Sequence, residues 1–336
     1  MNPNTPLSPC PLNHLSDVQR RVMSAGQLRE HGVSAARAAE QCRPGGPWQQ
    51  FLPGVYVLHP GPPTSEERLH AAVLYADTPD GGEAMVTGLA ALALRQFTSA
   101  PPLPSLERVD VLVPWTRRLR SAGCARLIRT QSLPRHEEVT GLPVAPVARA
   151  LADAVARLTD AGAVRRLLTE AVRAGHCESA PIVNELNRAR LLERTHVTDA
   201  VDALLAEGRA LAEDRLYQLV HLYGLPDPLW NVDLRLPGGP HLGGVDAYWP
   251  GRAVALELDT RAPRARRTGR APGRPDEEWI EGSRRREHLE RLGITVVHLS
   301  PKRLRNTPAQ VATVVRTALM ASQHRDPAAY VVVLPR

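Results

Sequence analysis

Apolar positions along the chain fall into short blocks whose period switches between that of a helix and that of a strand, and the switches mark three stretches. In the first, Leu28 closes a helix before the turn His31-Gly32-Val33. Ser34 then stands where its hydroxyl can accept from the free N–H groups of a helix over residues 35 to about 43. That helix presents Arg37, Gln41 and Arg43. Pro44-Gly45-Gly46-Pro47 follows, then Trp48-Gln49-Gln50-Phe51-Leu52, the turn Pro53-Gly54 and Val55-Tyr56-Val57-Leu58. Helix, glycine turn, helix and hairpin in this order predict a winged helix-turn-helix over residues 16–62, behind a Pro/Asn-rich leader at 1–15. A small helical packing module that touches no nucleic acid fits the same pattern.

Residues 63–206 read as a mostly helical domain with a few strands. Helices are expected at 64–76 and 87–96, strands at 109–113 and 125–129, and amphipathic helices at 147–158, 163–174, 182–192 and 197–206. The His and Glu residues here fall at no metal-ligand spacing.

The third stretch carries the chemistry. Residues 213–223 predict a helix with Leu216, Leu219, Val220 and Tyr223 on one stripe. Glu213 falls toward that apolar side, whereas Asp214 aligns with Gln218 and His221 toward solvent. An inward carboxylate is costly unless it has a partner. After Gly224-Leu225-Pro226, residues 232–236 alternate as a half-buried strand, and a loop at 237–244 leads to a strand at 245–249. Pro250-Gly251-Arg252 turns the chain into 253–259, where Val254, Leu256 and Leu258 face one way and Ala253, Ala255, Glu257 and Asp259 the other. A two-residue loop at Gly251-Arg252 places Asp246 opposite Glu257, with Cβ atoms about 4.5–5.5 Å apart, close enough to share a divalent cation. A three-residue loop turns Asp246 to the other face.

Composition narrows this picture. A chain of 336 residues, 43% apolar and 23% charged, is globular and long enough for two or three domains. Its net charge of +7 is localised: residues 252–316 hold fifteen Arg/Lys against eight Asp/Glu, while the remainder balances at 27 against 27. A confined cation excess reads as a local polyanion-binding surface. Its densest part, residues 260–275, has six arginines and no acid among glycines and prolines, and reads as a phosphate clamp or as a solvated insertion without a role. Lys302 is the only lysine. Cys10, Cys42, Cys124 and Cys177 form no CxxC pair, the first residues lack a signal-peptide pattern, and no apolar run is long enough to cross a membrane. Free thiols in the cytoplasm are therefore expected. With aromatics at 4%, a sheet that binds RNA by stacking bases is disfavoured.

The run Glu213, Gly224-Leu225-Pro226, Val245-Asp246-Ala247-Tyr248-Trp249-Pro250, Leu256-Glu257-Leu258-Asp259, Arg285 and Leu289-Glu290-Arg291-Leu292-Gly293 resembles the Vsr-like endonuclease-domain family of the PD-(D/E)XK superfamily, over about residues 207–316. Residues 16–150 resemble the AbiEi-type antitoxin and regulator N-terminus that often precedes this domain. The matching pieces are the winged-helix order, Pro53-Gly54-Val55-Tyr56, and Gly141-Leu142-Pro143-Val144 ahead of Arg149 and Asp153. The resemblance implies an α/β (α+β) chain: a winged helix-turn-helix, a helical middle region, and a restriction-endonuclease-like mixed sheet flanked by helices at 207–322, before a C-terminal tail at 323–336. It implies that Asp246 and Glu257 hold Mg²⁺ or Mn²⁺, that Glu213 assists through a water, that Asp259 stands where a lysine is usual, and that Arg285 neutralises phosphate charge. DNA is the implied partner, met by Arg37, Gln41 and Arg43 on the winged helix and by Arg261, Arg264, Arg266, Arg267, Arg270, Arg284 and Lys302 beside the acids. The setting is the nucleoid, away from membranes, and a homodimer or a toxin-like partner protein stays open.

The sequence departs from the family at three places. The acid-x-Lys pattern is absent, Asp259-Thr260-Arg261-Ala262 replaces the family's Asp-Gly and following His, and His298 stands on the final strand where Arg is usual. Two functions therefore stand side by side: a Mg²⁺-dependent DNA endonuclease guided by the winged helix, and a non-catalytic DNA-binding regulator or antitoxin-like protein on a degenerate nuclease fold. A protein-interaction scaffold whose basic arm meets an acidic partner is a third.

Overall fold

Serines start the first two helices. In a computed structural model, which describes residues 21–77, 84–260, 277–322 and 330–336 (backbone alone for 277–283), Ser24 Oγ accepts from Gln27 N while the Gln27 side chain accepts from Ser24 N. This reciprocal cap opens α1 (Ala25–Glu30) behind the short strand β1 (Val22–Ser24). Gly32, at φ 78°, turns the chain, and Ser34 Oγ accepts from Arg37 N to open α2 (Ala35–Gln41). β2 (Gln49–Leu52) and β3 (Val55–Val57) then form a hairpin through Gly54, at φ 73°. The three strands make an antiparallel sheet in the order β1-β3-β2, and Met23, Leu28 and Ala38 pack beneath it with Val33, Trp48 and Tyr56. Helix, turn, helix and hairpin follow one another as expected, and β1 is an addition too short to show a period.

The chain divides into two compact units, Met1–Ala171 with Glu185–Val197 and Val172–Asn184 with Thr198–Arg336. The rest of the first unit is built on a second sheet. Its elements are α3 (Ser65–Ala76), β4 (Met85–Thr87), α4 (Gly88–Leu94), β5 (Val109–Pro114), β6 (Ala125–Thr130), β7 (Glu137–Val139), β8 (Leu142–Val144) and α5 (Val147–Val155). The strand order is β6-β5-β4-β8-β7, with β5–β6 and β4–β8 parallel. The sequence pattern shows only β5 and β6, because β4, β7 and β8 have three residues each and give no alternation to detect. Three carboxylates are buried here among the described residues, Glu67 at the start of α3, Asp110 and Asp153. Asp153 accepts from Thr87 Oγ1 at 2.6 Å and from Arg149 Nε at 3.0 Å, and Asp110 forms a two-pronged pair with Arg126.

Helices α6 (Ala161–Arg173), α7 (Ser179–Arg188) and α8 (Thr195–Leu222) follow. The helices expected at 197–206 and 213–223 are one 28-residue helix, so the boundary set at 206/207 falls inside it. Gly208, the only helix breaker in this span, is absorbed where a Cβ would meet Ser179 Oγ at 3.2 Å.

The second unit holds a mixed five-stranded sheet in the order β12-β11-β10-β9-β13. Its elements are β9 (Leu229–Arg235), β10 (His241–Trp249), β11 (Val254–Leu258), α9 (Glu277–Arg291), β12 (Thr295–Leu299), α10 (Pro301–Asn306), α11 (Pro308–Ala321) and β13 (Val332–Pro335). Only β11–β12 is parallel. On one face Leu216, Leu219 and Val220 of α8, with Val311 and Val315 of α11, cover Ala247, Trp249, Val254 and Leu256. On the other face Leu289 of α9 and Ile294 cover Tyr248, Ala255, Val245 and Leu234. Two expectations are corrected. Half of the loop placed at 237–244 belongs to β10, and the end of the expected tail is β13, which places Val333 opposite Leu234 at the edge of β9. No described helix is long and apolar enough to cross a membrane.

Removing the buried Asp153 carboxylate strands Arg149 and Thr87. Asp153→Ala should lower unfolding free energy by about 3–5 kcal/mol in a urea titration of the full chain. A loss under about 1 kcal/mol would show that the pair is not holding α5 to β4.

Candidate functional site

Glu213 lies beside the apolar stripe of α8, one turn after Arg209, as the helical spacing requires. Arg209 Nε donates to Glu213 Oε1 at 2.7 Å, and its Nη2 donates to Asp246 Oδ1 at 2.9 Å. One guanidinium therefore bridges two carboxylates. The other Asp246 oxygen accepts from Leu258 N at 2.6 Å, tying β10 to the end of β11.

An irregularity places Asp246 there. The β9–β10 ladder pairs Val245 with Val232 and Ala247 with Trp230, but Asn231, between those two partners, is in the left-handed region at φ 48°. The β10–β11 ladder runs from Trp249↔Val254 to Ala247↔Leu256 around the turn Pro250–Arg252, with Ala253 at φ 49°. The ladder ends at Ala247↔Leu256, one position short of the Asp246–Glu257 pairing expected of a two-residue loop. The two acidic side chains go to different partners. Glu257 shares the face of Ala255, against α9, where Arg285 Nη2 donates to its Oε1 at 2.7 Å and His298 Nδ1 lies 3.5 Å from its Oε2.

Arg285 is held as tightly as it holds. Its Nε donates to Leu242 O at 2.9 Å and its Nη2 to Gly244 O at 2.6 Å. The guanidinium lies so close to β10 that a Cβ on Gly243, at φ 106°, would sit 2.3 Å from its Nε. A Cβ on Gly244 would meet Arg336 Nη1 at 2.6 Å. The two glycines are thus a cradle for arginines. The resemblance gives Arg285 a phosphate to neutralise, but here its donors are engaged by main-chain carbonyls and Glu257.

Each of the three expected acids has a cationic partner from its own chain, and among the described residues no three His, Cys, Asp or Glu side chains are placed to hold a metal. Mg²⁺ needs converging oxygen donors in near-octahedral array. Both Asp246 oxygens are occupied, and one Glu257 oxygen lies on Arg285, so the donor set as arranged does not fit that ion. Burial pushes the His298 imidazole below its ordinary pKa. Glu257 and Asp259 oppose the shift, whereas Arg286 and Arg285 add to it. Its Nε2 is buried without a hydrogen-bond partner among the described residues, in keeping with a neutral ring.

The other expected site residues lie apart from this network. Asp259 is exposed past the end of β11, its N–H on Leu299 O, and Arg284 and Lys302 are exposed on α9 and α10. In the first unit Arg37 is exposed on α2, Gln41 is half-buried at its end, and Arg43 is exposed in the turn beyond, because α2 stops two residues earlier than expected. Arg261, Arg264, Arg266, Arg267 and Arg270 lie outside the described residues. Beside the Arg209 bridge is a shallow surface recess lined by Glu213, Leu216, Tyr217, Trp230, Asn231 and Asp246, with the Tyr217 and Trp230 rings 4.1 Å apart. It encloses no room for a small molecule, whose pockets run to roughly 300–1,000 Å³. Comparison of the chain with protein-family models and with curated proteins finds no match.

Arg209, Gly243 and Gly244 are site residues that sequence reasoning missed. The i, i+4 spacing of Arg209 to Glu213 is a readable signal; the cradle is not, because it depends on a residue more than forty positions away. Gly238 provides the control for it, with a similar positive φ of 62° but nothing within 4 Å of a Cβ. Gly243→Ala should destabilise the chain by about 1–3 kcal/mol more than Gly238→Ala in matched denaturant titrations. Equal losses would mean that Arg285 does not lie against β10.

Proposed function

We propose that the chain is a DNA-binding protein of the regulator or antitoxin type. In it the module from Val22 to Val57 serves as a winged helix, and the sheet of the second unit is a nuclease-like scaffold that works without catalysis. The observation that carries this reading is the closure of all three acids by Arg209 and Arg285, which leaves no convergent donor set for a metal among the described residues. Support for DNA binding comes from the element order of the first module, the Ser34 cap that presents α2, and the exposed Arg37 and Arg43 beside it. These groups would sit on phosphates, fixing the register of the protein on the duplex. The setting would be the nucleoid, with a homodimer or a toxin-like protein as further partner.

One observation favours the second reading, a Mg²⁺- or Mn²⁺-dependent endonuclease. Asp246 and Glu257 stand on the neighbouring strands β10 and β11, where Asp246 also accepts from Leu258 N, and Arg209 draws Glu213 to the same strand as Asp246. In that reading Asp246 and Glu257 would be the metal ligands.

A single set of incubations separates the two. Purified full-length protein is mixed with plasmid and with mismatched duplex in Mg²⁺ or Mn²⁺, beside Asp246→Ala and Glu257→Ala. Salt-dependent gel shifts without nicking, unchanged in both variants, are the expected outcome. Arg37→Ala with Arg43→Ala should reduce the slope of log affinity on log salt by about 1.8. Nicking that both acid variants abolish would establish the endonuclease, and the absence of both nicking and gel shifts would refute DNA binding altogether.

A further inference from the structure

A second cationic surface lies in the first unit, away from α2. From Val111 to His136 the sequence has six arginines and no Asp or Glu. β5 and β6 are parallel neighbours, yet only residues 115–124 join them, with no helix between. A parallel connection must travel back the whole length of its strand, so so short a link is drawn out as an extended strap. β6 is the outermost strand of its sheet, and the strap is pinned to it. Leu127 N donates to Ser121 Oγ at 3.0 Å, and the Arg129 guanidinium donates to the carbonyls of Arg117 and Leu119. Tyr75 of α3 holds the far end through Arg120 O at 2.6 Å.

An extended segment alternates its side chains, and this one does. Arg117 and Leu119 are half-buried, with the Arg117 guanidinium spent on the carbonyls of Ala76 and Asp77, whereas Arg118 and Arg120 are exposed. Two positions along an extended chain is about 6.5 Å, a spacing commensurate with successive phosphates of a drawn-out strand. Neither the Arg118 nor the Arg120 side chain has a hydrogen bond or ion pair among the described residues. Trp115 opens the strap with 64% of its surface in solvent, an unusual place for an indole. The acid nearest in sequence, Asp110, is closed by Arg126, and Glu137 and Glu138 lie on β7 at the opposite edge of the sheet.

We propose that the 115–120 strap is a contact surface for single-stranded or locally unpaired nucleic acid, with Arg118 and Arg120 on neighbouring phosphates and Trp115 stacked on a base. Cations tracking a backbone beside an exposed aromatic is the combination that single-strand binding uses. An acidic protein segment would engage the arginines but has no need of the indole. A membrane surface would want more apolar residues than this polar strap offers. The surface uses residues other than those of α2 and of the acidic site, so it adds a strand-binding activity to the duplex binding proposed above, on which it does not depend.

The test is fluorescence anisotropy of a labelled oligothymidylate with the full chain at several salt concentrations. Arg118→Ser with Arg120→Ser should bind at least about tenfold more weakly at low salt and lower the salt slope by about 1.4. Trp115→Ala should weaken binding about tenfold and leave the slope unchanged. Duplex gel shifts of the Arg118→Ser, Arg120→Ser variant, measured beside its strand binding, separate this surface from the duplex module: a loss confined to strand binding is expected, and equal losses on both would overturn the proposal. Far-ultraviolet circular dichroism confirms that each variant is folded. No strand binding by the wild-type chain, or an unchanged affinity and slope in the double variant, would overturn the proposal. So would binding to polyglutamate or to phosphatidylserine vesicles that the double variant loses while its strand binding persists.

Discussion

Carboxylates that a fold carries into half-buried positions must meet a positive charge, and the second unit is organised around two arginines that supply it. Arg209 bridges Glu213 and Asp246 across α8 and β10, and Arg285 joins Glu257 to the main chain of β10. Neither is a surface ornament. An unpaired charge at Asp246 or Glu257 would cost several kcal/mol, and the local backbone is shaped to prevent it. The left-handed Asn231 interrupts the ladder beside Asp246, and the Gly243-Gly244 cradle lets two guanidinia approach where any Cβ would collide.

That arrangement bears on function through the donor atoms. A nuclease of the expected kind needs acidic oxygens that converge on a metal and a base that activates water. Here the oxygens diverge toward two arginines on opposite faces of the sheet, and the lysine usual beside them is Asp259, exposed and outside the network. The same residues that would make the site catalytic thus serve as internal salt links. In the function proposed above, the sheet is a rigid platform and contact with nucleic acid is assigned to the arginines of the first unit.

The sequence was most informative where local chemistry decides structure. Ser34, Gly32 and Gly54 announce their helix cap and turns, and Pro250-Gly251-Arg252 is a tight enough turn for the β10–β11 register to follow from it. It was least informative where the determinant is remote or brief. Three-residue strands leave no period, β13 becomes a strand only because β9 offers an open edge, and α8 runs through a glycine that a neighbouring serine accommodates. Net charge also misled by averaging. The balance of 27 against 27 outside residues 252–316 conceals the acid-free stretch from Val111 to His136, whose exposure depends on a strap that no periodicity reveals.

Calorimetric titration of Mn²⁺ into the full-length protein, with Asp246→Ala as control, decides whether the arginine-closed acids are a structural device. The account predicts no saturable binding up to about 1 mM in either protein. Stoichiometric binding tighter than this in the wild-type chain, lost in Asp246→Ala, would contradict it, because the carboxylates would then have exchanged Arg209 for a metal.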